Sequence, residues 1–437
     1  MRELQVAASV QGLFAPPQDW ALRRLGEVAR VVGGGTPRRD KPEFWGGGIP
    51  WATPTDITRL RSSFIEKTAS TLTDLGLKSC SASLVPSGSV LVTARATIGF
   101  CAVTRVPMAT NQGCQSLVPT RATSAEFLYY LLRYRGNDLV KLSAGSTFPE
   151  ISRHSMRSLE ILLPPPAEQT EIVRIISSVD NAIGATQAVI EQARVVKNAM
   201  LPELLSRGIP GRHTSFKETQ LGAMPAEWQL VSYRDLAANV PGAIQSGPFG
   251  SELRHSEFGS EGILVIGIDN VLDGRFSLGA NHRISVSRSR ELSRFLARPL
   301  DLLITVMASV GRCCVVPADL EPAIITKHVY RLSVDQSRAD PFFLMHCIYG
   351  LARLASALRG SAQGLSRPGL NKSLLLPLCF PLPPLEEQQE IVALMAALDR
   401  RIEAEKQVLS RLAELKAALL AALLSGEIRV TLDEVPV

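Results

Sequence analysis

The stretch Leu163-Pro164-Pro165-Pro166-Ala167-Glu168-Gln169 returns near the end of the chain as Leu382-Pro383-Pro384-Leu385-Glu386-Glu387-Gln388. When Gln169 is aligned with Gln388, the residues that follow stay in register over roughly ten helical turns. In both copies the prolines precede an apolar stripe with alternating steps of four and three residues, which continues for about five heptads. The pattern predicts two long helices that pack on each other. The alternative is two unrelated amphipathic surface helices.

The regions upstream of the two predicted helices also correspond. Ile49–Ile57 matches Ile263–Val271, Val90–Gly99 matches Leu302–Gly311, and Phe127–Leu132 matches Phe342–Cys347. Short β-branched runs between Gly/Pro turns predict strands in these segments, and 127–142 is predicted as a helix. Residues 57–88 and 272–300, which lie between the matching segments, share almost nothing. The chain is therefore predicted to be an internal duplication of an α/β domain of about 150 residues followed by a long helix.

Composition limits the class of protein only loosely. The 437 residues are 46% hydrophobic and 20% charged, which is enough to bury more than one core, and the net charge of +6 slightly favours a polyanionic partner. Met1–Trp20 does not have the pattern of a signal peptide, and no apolar run approaches the ~20 residues that span a bilayer. The seven cysteines form no CxxC pair. We therefore expect a cytoplasmic protein with unpaired thiols.

Motifs for catalysis and for metal binding are missing from the sequence. It contains no phosphate-binding loop, no Asn/Asp-Pro-Pro-Tyr/Phe tetrapeptide of an amino-methyltransferase, and no zinc-ligand spacing. The clusters Gly33–Gly35 and Gly46–Gly48 lack the context of a nucleotide site and are predicted to be turns. Glu403–Lys406 resembles a nuclease motif but falls on the predicted second long helix. We therefore expect a binding protein with no active site, metal or cofactor of its own.

At this point the residues resemble a known family, the specificity subunits of type I restriction–modification systems. The resemblance covers roughly residues 20 to 428 and is carried by motifs that occur in the same order in both halves. Besides the two proline-rich stretches, these motifs are Gly34–Arg39, Phe44–Gly47, Ile49–Trp51, Gly145–Ser152 and Ser246–Ser251.

The resemblance implies an α/β fold with two similar globular target-recognition domains, separated by two long antiparallel coiled-coil helices that set a spacer. Each domain would recognise one half of a split site in double-stranded DNA. Two methyltransferase (modification) subunits, and in some complexes restriction/translocase subunits, would be the partners and would carry S-adenosylmethionine, ATP and Mg. The domain limits are 1–19 for an N-terminal extension, 20–163 for target-recognition domain 1, 164–208 for coiled-coil helix 1, 209–222 for a linker, 223–381 for target-recognition domain 2, 382–426 for coiled-coil helix 2 and 427–437 for a C-terminal tail.

Candidate DNA-binding residues follow from the chemistry of recognition. Lys and Arg suit phosphates, Arg also suits guanine, and Asn and Gln suit adenine. In the first half the candidates are Arg38, Arg39, Lys41, Arg95, Asn111, Gln112 and Arg153. In the second half they are Gln245, Ser246, Arg254, Arg312, Lys327, His328, Arg367, Asn371 and Lys372. The internal alignment places the pair Asn111-Gln112 opposite Lys327-His328. For each residue the alternative is a solvated surface side chain.

Several alternatives stay open at the level of sequence. The chain could serve a methylation-only complex, or act as a coiled-coil adaptor that binds proteins and no DNA, or hold a cryptic enzyme site. Lys197 and Lys416 fall in the apolar stripes of the two predicted helices. Each lysine either fixes the register of the helices or packs its stem there while its ammonium group reaches solvent.

Overall fold

The computed structural model describes residues 17–143, 149–249, 252–279, 281–360, 370 and 372–430. The chain divides into two compact units: unit 1 is Met1–Gln187 with Gln407–Val437, and unit 2 is Ala188–Lys406. The division falls inside both long helices, α7 (Pro166–Arg207) and α12 (Leu385–Ser425). Each unit therefore contains the first half of one long helix and the last half of the other.

Unit 1 is built on a five-stranded sheet of order β2-β9-β6-β7-β4, a three-stranded sheet of order β5-β3-β8 and the antiparallel pair β1-β10. Its strands are β1 (Ala21–Arg24), β2 (Ala29–Gly33), β3 (Trp45–Ala52), β4 (Phe64–Ile65), β5 (Ser70–Leu72), β6 (Val90–Thr93), β7 (Cys101–Thr104), β8 (Ala109–Thr110), β9 (Cys114–Pro119) and β10 (Glu160–Leu163). Its short helices are α1 (Leu25–Val28), α2 (Pro54–Thr58), α3 (Asp74–Lys78), α4 (Ala125–Tyr134), α5 (Gly136–Lys141) and α6 (Arg153–Ser158).

Unit 2 is built on sheets of order β14-β23-β20-β21 and β18-β15-β22-β19, the pair β13-β24 and the hairpins β11-β12 and β16-β17. Its strands are β11 (Phe216–Thr219), β12 (Gly222–Pro225), β13 (Gln229–Ser232), β14 (Ile244–Ser246), β15 (Ile263–Ile266), β16 (Val271–Leu272), β17 (Arg275–Phe276), β18 (Arg283–Ile284), β19 (Leu296–Ala297), β20 (Leu302–Thr305), β21 (Cys313–Val315), β22 (Ala323–Ile325), β23 (Val329–Leu332) and β24 (Cys379–Leu382). Its short helices are α8 (Val286–Glu291), α9 (Pro341–Gly350), α10 (Ala352–Gly360) and α11 (Lys372–Leu375).

The two units repeat one topology, as the duplication predicts. The order β2-β9-β6-β7 in unit 1 matches β14-β23-β20-β21 in unit 2, and β5-β3-β8 matches β18-β15-β22. The parallel pair β3–β8 also has a parallel counterpart, β15–β22. The predicted fold class, two similar α/β domains with two long helices, is confirmed.

The long helices pack antiparallel within each unit. In unit 1, Ile172 and Ile176 near the start of α7 share a core with Leu423 and Leu424 at the end of α12. In unit 2, the end of α7 and the start of α12 share another core, to which Leu204, Leu205, Ile391 and Met395 contribute. All of these positions except Leu205 and Leu424 belong to the apolar stripe that the sequence shows, so burial of the stripe explains why both segments are helical.

The two stripe lysines form ion pairs between the long helices. Lys197 of α7 pairs with Asp399 of α12 in unit 2, and Lys416 of α12 pairs with Asp180 of α7 in unit 1. Both side chains are mostly buried, with 20% and 28% exposed. An ammonium group held by an aspartate on the opposing helix favours one register, so the structure supports the register-fixing alternative over a lysine that only reaches solvent.

The glutamine of the repeated stretch anchors the start of each long helix. Gln169 accepts a hydrogen bond from Ser124 N (3.2 Å) and donates to the carbonyls of Ala122 and Pro164 (both 2.9 Å). Gln388 accepts from Asp340 N (2.9 Å) and donates to the corresponding carbonyls in unit 2. The buried amide thus ties the start of the long helix to the N-terminus of a core helix.

These contacts correct one part of the sequence alignment. Because Ser124 and Asp340 cap α4 and α9 and are bound by equivalent glutamines, they occupy equivalent positions. Phe127 therefore corresponds to Phe343, one position later than the alignment with Phe342 predicts. The single helix predicted over 127–142 is also interrupted at Arg135, between α4 and α5.

The predicted linker and tail carry contacts of their own. The range 209–222 contains His213 and strand β11, and it ends at the first residue of β12. In the tail, Arg429 donates to Glu168 and to Asp19, all within unit 1. The limits of the domains drawn from the sequence stay predictions.

Candidate nucleic-acid interface

A turn of unusual backbone conformation joins β6 to β7 and β20 to β21. In unit 1, Ala96 and Gly99 have positive φ (63° and 91°), and Thr93 Oγ1 accepts a hydrogen bond from Phe100 N (3.0 Å). In unit 2, Ala308 and Gly311 have positive φ (61° and 86°), and Thr305 Oγ1 accepts from Arg312 N (3.0 Å). A non-glycine residue at positive φ costs free energy and persists where the surroundings enforce it.

A second loop meets this turn in each unit. In unit 1, Ala94 N donates to Gly113 O (2.8 Å), and Asn111 N donates to Ala52 O (2.9 Å). In unit 2, Val306 N donates to His328 O, and Thr326 N donates to Ile266 O (both 2.9 Å). The loop after β8 and the loop after β22 are therefore held in the same place by the same backbone bonds.

Glycines allow a third segment to approach these loops. A Cβ on Gly34 would lie 1.8 Å from Asn111 O, and a Cβ on Gly247 would lie 2.2 Å from the Thr326 carbonyl carbon. Only glycine fits either position, which explains the Gly-rich motif of the first half and Gly247 in the second.

The hydrogen bonds place Asn111 opposite Thr326, Gln112 opposite Lys327 and Gly113 opposite His328. The predicted match of Asn111-Gln112 with Lys327-His328 is therefore wrong by one position. Gln112 and Lys327 are both exposed at the tip of the loop. The same framework position thus carries an amide in one unit and an ammonium group in the other.

Asn111 and His328, which lie beside Gln112 and Lys327 in sequence, make contacts within their own units. Asn111 Oδ1 accepts from Gly113 N (2.9 Å) and shapes the loop. His328 Nδ1 lies 3.3 Å from Met307 Sδ, and the pKa of His328 is lowered by burial and, to a smaller extent, by Lys327.

Three of the predicted basic residues of unit 1 form surface ion pairs. Arg38 lies 2.7 Å from Asp40, Lys41 lies 3.8 Å from Glu43, and Arg95 lies 3.9 Å from Glu150. Exposed pairs of this kind contribute about 0–1 kcal/mol, so a phosphate can replace the carboxylate. Arg153 is exposed, and its guanidinium covers Gly33, with Nε 2.9 Å from the position of a Cβ.

The predicted residues of unit 2 are more scattered. Gln245 and Ser246 lie on β14, where Gln245 Nε2 donates to Ser246 O (3.0 Å). Exposed Arg254 donates its amide to Glu257 (2.6 Å), and Lys372 Nζ donates to Ile244 O (3.4 Å). Arg312 follows the β20–β21 turn and corresponds to Phe100. Arg367 and Asn371 lie outside the described residues.

Trp45 is a further candidate for the interface, which the choice of candidate contacts missed. Its ring lies under the guanidinium of Arg39, 5.9 Å from Arg39 Cζ to the ring centroid, and its Nε1 donates to Arg38 O (3.1 Å). The indole therefore positions the Arg38-Arg39 pair. The adjacent Gly46–Gly48 run was the available signal, because the register of β3 with β5 shifts between Trp45 and Ile49.

Metal sites and membrane spans are not found in the described ranges. Within those ranges, no group of three or more His, Cys, Asp or Glu residues is arranged to hold a metal ion. In the same ranges no single helix has both the length and the hydropathy of a membrane span, and α9 with residues 352–358 passes that test only as a pair bent by 85°.

The sequence of the chain matches a known protein family. The family model described as "Type I restriction modification DNA specificity domain" matches residues 17–194 and 294–414. The chain belongs to this specificity family. Both matched ranges include framework strands that build the interface described above.

Two curated relatives from Methanocaldococcus jannaschii are members of the same family. The type I restriction enzyme MjaIX specificity subunit is 36% identical over 38% of this chain and 39% of its own length. The MjaVIII specificity subunit is 27% identical over 70% of each chain. The match to MjaIX thus spans well under half of that relative.

Solved structures of type I specificity proteins have the same fold. The HsdS subunit from Thermoanaerobacter tengcongensis has a TM-score of 0.51 at 20% identity and covers 95% of this chain and 99% of its own. A chain from a study of type I R-M complex assembly and conformational transition has a TM-score of 0.57 at 20% identity, covering 95% of this chain and 100% of its own.

Proposed function

We propose that this chain selects the DNA sequence on which a type I restriction–modification complex acts. Each unit would recognise one half of a bipartite site in double-stranded DNA, and the two long helices would set the spacer. The observation that carries this proposal is the loop tip at Gln112 and Lys327, where two frameworks of the same strand order present different hydrogen-bonding groups. A duplicated platform with unlike contact residues suits two unlike half-sites.

The catalytic steps would belong to the partners. Two modification subunits would methylate adenine with S-adenosylmethionine, and restriction/translocase subunits, where present, would use ATP and Mg. The chain itself would be non-catalytic, with no cofactor or metal of its own. The curated relatives are named specificity subunits, which supports this division of roles. Free cysteines, five of them buried, are consistent with work in the reducing cytoplasm.

Modified-base sequencing tests the proposal directly. DNA from cells that express this chain with its modification subunit should carry methylated adenine in a motif of two unlike halves around a fixed gap. Deletion of this chain alone should abolish that motif. If the modification subunit is active and the methylation pattern does not depend on this chain, the chain does not select sequence, and a protein adaptor becomes the better hypothesis.

The loop tip supplies a residue-level test. Gln112→Ala should relax discrimination at one base pair of one half-site by about 1–3 kcal/mol, because a side-chain amide would lose its contacts to a base edge. Methylation of DNA duplexes that carry every single-base variant of the site measures this effect. Gln18→Ala, an exposed glutamine of the same unit, is the matched control. Unchanged discrimination in Gln112→Ala would show that Gln112 does not read a base.

A further inference from the structure

Each unit contains an open cleft beside its three- or four-stranded sheet. Cleft 1, of about 400 Å³, is lined by Arg39, Trp45, Gly46, Ala69, Ser70 and Thr71. Cleft 2, of about 350 Å³, is lined chiefly by Glu257, Glu261, Gly262, Arg283 and Ser285. Neither cleft contains the loop tip at Gln112 or Lys327, and cleft 1 includes Arg39, a candidate DNA contact, with the Trp45 ring beneath it.

The two clefts occupy the same place in the duplicated fold. Ile49 of β3 pairs with Leu72 of β5, just as Ile263 of β15 pairs with Ile284 of β18. Thr73 follows β5 and Ser285 follows β18, and each caps the helix that comes next. Thr71 therefore corresponds to Arg283.

A glycine near each cleft lets two paired strands approach closely. A Cβ on Gly47 would lie 2.4 Å from Leu72 O, and a Cβ on Gly262 would lie 2.1 Å from Ile284 O. Leu72 and Ile284 are equivalent in the strand pairing, whereas Gly47 lies one position before Gly48, the counterpart of Gly262.

The lining is not shared between the halves. In cleft 1, one wall is formed by Trp45 and Gly46 of β3 and the other by residues 69–71. In cleft 2, one wall is formed by residues 257–262, which precede β15, and the other by residues 283–286. Residues 69–71 and 283–286 lie within 57–88 and 272–300, the two segments with almost no sequence in common. Corresponding clefts with unlike chemistry on one wall are what two sites of the same kind but different specificity require.

Cleft 1 offers hydrogen-bond donors on a rigid support. The Trp45 ring packs edge-on against buried Trp51, with centroids 5.1 Å apart, and its Nε1 is fixed by Arg38 O. The Arg39 guanidinium lies over this ring and has no ion-pair partner within the described residues. An arginine presented in this way suits the O6 and N7 acceptors of guanine.

Cleft 2 offers a carboxylate acceptor. Arg283 is occupied by Gly262 O (2.6 Å) and Asn281 Oδ1 (3.1 Å), and Glu257 is occupied by Arg288 (2.7 Å). Glu261 is exposed and has no hydrogen-bond or ion-pair partner in the part of the chain that the structure describes. A free carboxylate repels phosphate but accepts from the N4 amino group of cytosine.

We propose that the two clefts are base-reading sites, in which Arg39 of cleft 1 contacts a guanine edge of one half-site and Glu261 of cleft 2 contacts a cytosine amino group of the other. This inference rests on the proposed function, since it requires that each unit meets DNA. It adds a specificity determinant on a different part of each unit from the loop tip.

The test uses the full chain assembled with its modification subunits and measures methylation of duplexes that carry single-base variants. Glu261→Gln should relax a G·C pair of one half-site about tenfold and leave the other half-site unchanged. Arg39→Ala should relax a G·C pair of the opposite half-site to a similar extent. Glu218→Gln and Arg121→Ala, exposed residues of the same units, are the controls and should change neither half.

Three outcomes separate the two proposals. If the wild-type complex shows a bipartite motif and both cleft variants keep it without relaxation, the cleft proposal is overturned and the proposed function stands. If Arg39→Ala weakens methylation of all sequences equally, Arg39 contacts phosphate and cleft 1 does not read a base. If the active wild-type complex shows no motif that depends on this chain, the proposed function itself is overturned.

Discussion

The buried carboxylate of Glu387 is the clearest point at which to test how the long helices hold unit 2 together. Its side chain is 2% exposed. It accepts hydrogen bonds from Trp228 Nε1 (3.1 Å), Ile209 N (3.2 Å) and His213 Nε2 (2.8 Å). Glu387 therefore joins the start of α12 to Ile209 and His213, which follow α7, and to Trp228, which precedes β13.

Glu387→Ala would leave three buried donors without an acceptor. Hydrogen bonds to charged groups contribute about 1.5–3 kcal/mol each, but they share one carboxylate and do not add. Removing one partner of a buried ion pair costs about 3–5 kcal/mol. Since water will enter the space that the alanine leaves, we expect a loss of about 3 kcal/mol in the local free energy of unfolding. That loss corresponds to about 150-fold faster amide exchange.

Hydrogen–deuterium exchange measures this loss by unit. Peptides that cover 208–232 should exchange faster in Glu387→Ala, while peptides of the equivalent region of unit 1 serve as an internal reference. Glu386→Ala, which removes an exposed carboxylate from the adjacent position of α12, should leave both regions unchanged. An effect of Glu387→Ala below about threefold would refute the argument, because buried donors would then have found other partners at little cost.

Three further predictions follow from individual contacts. Burial lowers the pKa of His213, but hydrogen bonds to Glu387 and Glu227 raise it overall above 6.5. The contribution of the His213 cation to the stability of unit 2 is therefore complete below pH 6.5. It is lost as pH rises through the pKa of His213 in the folded state. Amide exchange of unit 2 against pH measures this dependence, which His213→Gln should remove; a pH dependence that persists in the variant would assign it to another group. Gly47→Ala should destabilise unit 1 by about 1–3 kcal/mol, because the new Cβ meets Leu72 O at 2.4 Å. Gly48→Ala is the control, since a Cβ on Gly48 meets nothing within 4 Å. Equal shifts of the thermal unfolding temperature for the two variants would contradict this prediction. Four residues added within α7 lengthen it by about 6 Å and should lengthen the unspecified spacer of the methylated motif; an unchanged spacer would rule out the helices as its determinant.

The sequence predicted the parts of the fold that a periodic pattern encodes. The two long helices follow from the four-three apolar stripe, and the duplication follows from the repeated proline-rich stretch, because both signals extend over many residues. Short elements were placed less accurately. The slips at Phe127 and at Asn111 are each one position, since flanking loops of unequal length leave a short strand or helix without a fixed register.

The candidate site was only partly predictable for a related reason. Gln112 and Lys327 could be chosen because they sit beside matching strands. The clefts could not, because residues 69–71 and 283–286, which form one wall of each, lie in segments whose sequences do not match. Likewise, the ion pairs of Arg38, Lys41 and Arg95 depend on side-chain positions that spacing alone does not determine.

The division of the chain into one contiguous and one discontinuous unit bears on its synthesis. Unit 2 consists of Ala188–Lys406, so all of its residues are translated before residues 407–437, which belong to unit 1. The core of unit 1 joins Ile172 and Ile176 to Leu423 and Leu424. Unit 1 can therefore complete its core only after the whole of unit 2 has been translated. This is the reverse of the usual N-to-C order of domain completion.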